Sequence, residues 1–304
     1  MTTALAPERL ATGFSWTECP RWQPDPSGGR FHFSDMYNGR IVAVDDAGRA
    51  ETLLDLSGRE GLDGQPIVAI GTGSLPDGRL LVNSMFERIV LAYDGSAASI
   101  YADFRDLAIG PINDMVVDAA GRVYVTQLGC NLFAGEAPKE SPILIVEPDG
   151  TPRVADEAGP LMGANGIAIS ADGRTLVTAE TFADRITAFD IAPDGKLSAK
   201  RTFAEMEGGF PDGLCLDEDG AVWTALTAAG RVVRVVEGGE VVAEVSPPQA
   251  ECGVSTACGL GSQDRRTLYI CCGFEVFDSE KSRREAQGSI WTVRVPVSGG
   301  AARP

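Results

Sequence analysis

One histidine, His32, stands in a chain of 304 residues. A His/Cys zinc site therefore lacks its usual ligands, and a serine triad lacks its base, since nothing pairs His32 with Ser255. His32 lies between Phe31 and Phe33 on a strand-like run, where a structural or surface role is expected. Basic residues are also scarce: 26 Lys and Arg against 43 Asp and Glu give a net charge of -17. That balance argues against nucleic acid and against anionic membrane surfaces as partners. No apolar run approaches the length needed to span a membrane. The start, Met1 to Glu8, has no basic segment followed by an apolar stretch, so no signal peptide is expected and a cytoplasmic location is predicted. The seven cysteines (19, 130, 215, 252, 258, 271 and 272) are odd in number and scattered. They are expected to be reduced thiols that pack as small hydrophobes. Long helical patterns are missing; the charged stretch Val276–Glu285 allows a turn of helix at most.

What the chain does have is glycine, 36 of them, together with regularly placed turns. Turns are expected at Pro24–Gly29, Pro76–Arg79, Ala119–Arg122, Ala171–Arg174, Glu218–Gly220 and Gln263–Arg266. Asp-Gly at such places supplies the positive φ of tight hairpins. A β-rich run follows each turn: Arg30–Asp35, Leu80–Asn83, Val123–Thr126, Thr175–Thr178, Val222–Thr224 and Thr267–Ile270. Behind several of these comes a further strand, as in Arg40–Asp45 and Arg185–Asp190. The turns recur every 43 to 52 residues, the period of a blade repeat. The spacing predicts an all-β fold: a six-bladed β-propeller with four-stranded antiparallel blades, filling residues 1–304 as one domain.

Three stretches carry one further pattern: Asn113 to Gly121, Asn165 to Gly173 and Asp212 to Gly220. In each, an oxygen-bearing side chain stands eight residues before the turn glycine, ahead of apolar residues with period 2. A fixed repeat position in a radial fold maps to one place on the axis. In blade one the longer turn puts that position at Glu18; blade two gives Ile70 and blade six gives Ala257. Each oxygen taken alone would pass as turn chemistry, but four in register call for a site. Glu18 and Asp212 crowded together would repel, and burial would raise their pKa values. Two carboxylates and two amides suit a hard divalent cation, Ca²⁺ or Mg²⁺, with Mn²⁺ or Zn²⁺ also admissible.

At these residues the sequence resembles the senescence marker protein, gluconolactonase and luciferin-regenerating enzyme group of six-bladed propellers. The resemblance runs through Glu18-Cys-Pro-Arg-Trp22, Phe33-Ser-Asp35, Gly39-Arg-Ile41, Asn113-Asp114, Asn165 to Gly173 and Pro211-Asp-Gly213, and covers essentially the whole chain. It implies a metal-dependent hydrolase of a lactone or ester, with one cation, Ca²⁺ first among those named, held in the channel. It also implies that Glu18, Asn165 and Asp212 are the metal ligands. Asn113 would contact substrate beside the metal, and Asp212 would also be the general base. Asp114 is the second expected substrate-side residue, as a partner behind the first. Two departures stand out. The usual glycine after the blade-one glutamate is Cys19, and Pro111 occupies a place where sugar-lactone members often have an arginine. Without that bidentate donor a less polar ester or lactone is favoured.

The expected chemistry is Lewis-acid activation of the substrate carbonyl and proton abstraction from water, with Asp212 as base and Glu18 as ligand. Trp16, Phe86, Phe133, Phe182 and Phe210 stand where they could line such a pocket, or simply pack the blades. Other readings share this build: organophosphate hydrolysis, a lyase step, or a binding scaffold with a structural metal.

Overall fold

In a computed structural model of the chain, residues 3–23, 29–61 and 64–303 are described. Their strands form six four-stranded antiparallel blades arranged as a six-bladed β-propeller. The inner strands are Thr17–Gln23, Ala69–Ser74, Ile112–Val117, Ala164–Ile169, Pro211–Leu216 and Val254–Gly261. The second strands begin where the sequence places them, at Arg30, Leu80, Val123, Thr175, Val222 and Thr267. Turn glycines Gly78, Gly121, Gly173 and Gly220 all have positive φ, and Arg265 holds that conformation in blade six. The expected turn at Pro24–Gly29 falls mostly outside the described residues.

The core is divided among the joints between blades. Leu81, Phe104, Met115 and Val125 fill the joint of blades two and three. Ala168, Val177, Leu214 and Val222 fill that of blades four and five, and each remaining joint holds its own apolar cluster. A blade buries its faces only against neighbours, so the ring must close to be stable. Closure comes from Glu8–Phe14, which pairs antiparallel with Gly288–Arg294 as the outer strand of blade six. Thr3–Leu5 adds a parallel strand to blade five, beside Val241–Val245. At the other terminus, Arg303 exchanges backbone hydrogen bonds with Ile169 of blade four. None of the three pairings has a repeat signal.

The helical turn expected near Val276–Glu285 is a helix at Ser279–Glu285, capped by Asp278, whose side chain accepts from Lys281 N–H. The seven cysteines are free and buried. His32 is also buried, and neither ring nitrogen has a hydrogen-bond partner. Burial, with Arg21 and Arg30 nearby, pushes its pKa down to about 3, so it is a neutral packing residue.

Candidate metal centre at the propeller axis

The inner ladder slips at the same place in blades two to five: between Ala69 and Thr72, Ile112 and Met115, Ala164 and Ile167, and Pro211 and Leu214. The slip leaves Ile70, Asn113, Asn165 and Asp212, each with the residue after it, out of the regular pairing. A bulge of this kind re-aims a side chain and ends the local pairing. In blade one the slip spans Glu18 to Arg21, across Pro20, which has no N–H to give the ladder. In blade six it lies between Ser255 and Ala257. The equivalent residue there is Thr256, which corrects the expectation of Ala257. A Cβ built on Gly166 would meet Asp212 O and Gly213; one built on Gly213 would meet Thr256 O and Ala257, the matching pair one blade on. Counting back eight from the turn stops one residue short because the blade-six ladder runs further toward it, to Gly261 opposite Thr267. The Thr256 hydroxyl donates to Thr17 O at 2.7 Å.

Three of the four predicted oxygens form a linked set, and Glu18 bears on Asp212 through its charge alone. Asn113 Nδ2 donates to Asn165 Oδ1 at 2.7 Å, and Asn165 Nδ2 donates to Thr181 Oγ1 at 3.1 Å. Thr181 in turn donates to Pro211 O at 2.7 Å, tying the loop of blade four to the strand that carries Asp212. Asn165 also hydrogen-bonds the Asp212 carboxylate. On the far side, Trp16 Nε1 donates to Glu18 Oε1 at 3.2 Å and Cys19 N–H to Oε2 at 3.3 Å. Thr181 was not singled out from the sequence, although it stands at a repeated place: the residue after the second strand donates its N–H back toward the start of the inner strand, as Met36, Met85, Leu128 and Thr227 also do.

The carboxylates differ sharply in their surroundings. Burial pushes Glu18 up to about 8, against the opposing hydrogen bond from Trp16. Burial, then the charge of Glu18, raises Asp212 well above the usual carboxylate range. Among the described residues neither makes an ion pair. Asp114, by contrast, is held by Arg21, whose Nη2 lies 2.5 Å from Oδ1 with both side chains buried. The same oxygen accepts from Met115 N–H. The remaining Arg21 donors reach Thr72 O, Pro20 O and Met115 O.

A hard divalent cation fits this donor set. Two desolvated carboxylates repel each other, the one charge opposing this at Glu18 being that of Arg21, already paired with Asp114, and amide oxygens stand beside them, all oxygen ligands of the kind Ca²⁺ and Mg²⁺ take. No group of three or more His, Cys, Asp or Glu side chains is placed to hold a metal ion among the described residues. A cation here would therefore depend on the amide oxygen of Asn165 to complete three protein ligands.

Around this centre lies an apolar mouth. Trp16, Cys19, Tyr37, Ile70 and Met85 form one cluster, with Phe86, Phe133 and Val276 packed against it. Beside it opens a cavity of about 820 Å³, walled by Tyr37, Phe86, Pro111, Phe133, Val276 and Phe277 among others. The four inner oxygens are not part of that wall, so the cavity is offset from the axis toward blades two and three. Of the aromatics considered from sequence, Trp16, Phe86 and Phe133 gather here. Phe182 packs near Gly163 instead, and Phe210 is exposed, with φ 49°.

Comparison with known proteins agrees with this architecture. A family model described as SMP-30/Gluconolactonase/LRE-like region matches residues 16–273. The chain is 31% identical over 157 residues to the 6-deoxy-6-sulfogluconolactonase of Pseudomonas putida, a match taking in 50% of this chain and 53% of that protein. It thus spans about half the length of that curated relative. A pentonolactonase of Haloferax volcanii is 23% identical over 93% of this chain and 91% of its own. Among solved structures, a calcium-binding regucalcin from Agrobacterium tumefaciens superposes with a TM-score of 0.76 at 18% identity, covering 98% of this chain and 97% of that one. The likeness to that structure establishes the propeller fold. With the match spanning all six inner strands, the chain belongs to the SMP-30/gluconolactonase/LRE-like family.

Proposed function

We propose that the protein is a metal-dependent hydrolase of a lactone or ester, acting on a small-molecule substrate at the channel mouth. The observation that carries this reading is the pair Glu18 and Asp212: two desolvated carboxylates with raised pKa values on inner strands, neither in an ion pair among the described residues. Lactonases among the relatives lend support to the substrate class.

Glu18, Asn165 and Asp212 would hold one divalent cation, with Ca²⁺ the first choice for an all-oxygen set. When bound, that cation would supply Lewis acidity toward the substrate carbonyl oxygen. Asp212 takes a proton from the attacking water as a carboxylate that the Asn165 amide holds in place. Water oxygen bonds to the carbonyl carbon, the acyl C–O bond breaks, and the leaving alkoxide receives the proton to give a hydroxy acid or an alcohol. Asn113 is placed to orient the substrate through its amide. Asp114 acts through Arg21 as a positioning residue, because its carboxylate is already engaged there.

The test is turnover of a lactone and ester panel with and without chelator and with added Ca²⁺, Mg²⁺, Mn²⁺ or Zn²⁺. Hydrolysis that disappears with chelator, returns with a cation and is lost in Asp212→Ala while the protein stays folded supports the reading. Tight cation binding with no turnover across the panel removes it and leaves a propeller with a structural metal.

A further inference from the structure

The cavity beside the channel mouth is assembled from three loops that carry no repeat signal. Phe86 follows the second strand of blade two and meets Phe133 of blade three edge-on, centroids 5.4 Å apart. Phe133 packs in turn on Phe277 at 6.0 Å. Phe277 belongs to the long connection between Gly273 and Gly288 in blade six, the segment that carries helix Ser279–Glu285. That connection is anchored to blade one: the Tyr37 hydroxyl donates to Val276 O, and Arg283 Nη1 donates to Tyr37 O at 3.3 Å. The wall is therefore fixed in place.

Its wall is mixed: Gln65, Ser84, Asn131 and Ser279 line it too, and the apolar side chains gather on one face, where the three phenylalanines meet. Phe277 and Ile109 remain 67% and 51% exposed on the rim, a cost in water that a bound apolar group would remove. Phe86 and Phe133 pack on the cluster that contains Trp16 and Cys19, the two neighbours that hydrogen-bond Glu18. The apolar surface thus runs from the proposed metal ligand to the exposed rim. Pro111, which offers no N–H or side-chain donor, lies on the same wall. Arg88 and Arg283, the two guanidinium groups of the wall, donate to Ala108 O and Tyr37 O through one nitrogen each. Glu87, Glu136 and Glu280 also line the cavity, so carboxylates outnumber guanidiniums and an anionic group is disfavoured.

We propose that this cavity binds the substituent of the substrate ring or acyl group, and that the substituent is an uncharged alkyl or aryl chain. Lactones or esters with apolar substituents are then preferred over polyhydroxylated sugar lactones. The inference rests on the hydrolase reading for its reaction, but the cavity's preference for a ligand can be read without turnover.

The experiment uses the full-length protein with cation present. γ-Lactones bearing alkyl chains from methyl to hexyl are compared for kcat/KM, with glucono-1,5-lactone alongside. The matching 5-alkyl-2-pyrrolidinones, which do not react, are titrated for Kd. Both series should improve by up to about four-fold per added methylene while the chain remains inside the cavity. Phe277→Ser and Ile109→Thr lie on the exposed rim, and each should flatten that dependence, lowering the hexyl-to-methyl ratio several-fold. A flat series in wild type, a ratio unmoved by both variants, or a preference for glucono-1,5-lactone overturns the proposal. If no lactone turns over, the hydrolase reading fails by itself, and the pyrrolidinone series still decides whether the cavity takes an apolar chain.

Discussion

Two kinds of desolvated carboxylate occur within this one propeller. Asp114, Asp35, Glu180 and Asp217 are each met by a guanidinium, from Arg21, Arg40, Arg185 and Arg234 respectively. Glu18 and Asp212 are met by none among the described residues, and burial drives both pKa values upward. A buried charge without a partner is expensive, and a chain under selection for stability alone would pair it or replace it. The first group holds strands and loops in place. The second keeps a demand for positive charge open at the axis, which is what a site for a cation requires.

The largest expected effect breaks the second group. Asp212→Asn and Glu18→Gln should each lower kcat/KM for any hydrolysed lactone by about 10³-fold or more, some 4 kcal/mol of barrier. The same substitutions should not lower the melting temperature of metal-free protein, because each removes an uncompensated buried charge. Thermal denaturation in chelator checks this; a clear loss of stability would place Glu18 and Asp212 with the structural carboxylates. Breaking the first group should do the reverse. Asp114→Asn leaves the buried Arg21 charge without its carboxylate and should cost about 3–5 kcal/mol in a denaturant titration. Cation affinity, measured by calorimetry, should change far less than it does in Asp212→Asn.

The sequence displayed one half of this comparison better than the other. Asn113, Asn165 and Asp212 could be picked out because a repeat fixes their distance from a turn and the common bulge keeps that distance, whereas Glu18 stands just ahead of its blade's slip, paired opposite Ser34. The same counting failed by one residue in blade six, where Thr256 replaces Ala257, since the ladder there extends toward a turn built on Arg265 instead of glycine. Partners fixed by side-chain reach across blades left no trace in spacing. Arg21 belongs to blade one and Asp114 to blade three, so their pairing follows from the closeness of inner strands around a narrow axis. Ring closure by Glu8–Phe14 was equally hidden, because a strand far from its blade in sequence carries no period. The irregular loops divide: those containing Phe133 and Phe277 meet at the cavity, whereas Thr181 braces Asp212's strand.

A pH titration sharpens the contrast in the metal-free state. Glu18 has a folded pKa of about 8 against an ordinary 4.5, so between these values the folded protein binds more protons than the unfolded chain. Stability from this group is present in full below about 4.5 and is lost as pH rises toward 8, with a slope of up to about 1.4 kcal/mol per pH unit. Asp212 is shifted in the same direction. Metal-free protein should thus weaken between pH 5 and 8, as read by urea denaturation, and saturating Ca²⁺ should restore stability most at the upper end. A Glu18→Gln variant should show a smaller slope. An unchanged slope would mean that the group is not desolvated in solution.

The smallest effect concerns how closely the oxygens are brought together. Gly213 follows Asp212, and a Cβ there would lie 2.2 Å from Ala257 Cβ and 2.6 Å from its Cα, both on the next inner strand. Gly166, after Asn165, is as tightly placed, with Asp212 O and Leu214 N each 2.6 Å from the added atom. These glycines let neighbouring inner strands approach at the level of the site, so the spacing of Asn165 and Asp212 depends on a missing methyl group. Gly213→Ala should push blades five and six apart and cost about 1–3 kcal/mol, the usual range for overpacking. Because the push is applied one residue from Asp212, cation affinity should fall along with stability. Gly220→Ala, at the turn of the same blade, has nothing within 4 Å of its added Cβ but a φ of 79° to strain it. It should lower stability alone. Equal loss of cation affinity in the two variants would show that general destabilisation, and not strand spacing, governs the site.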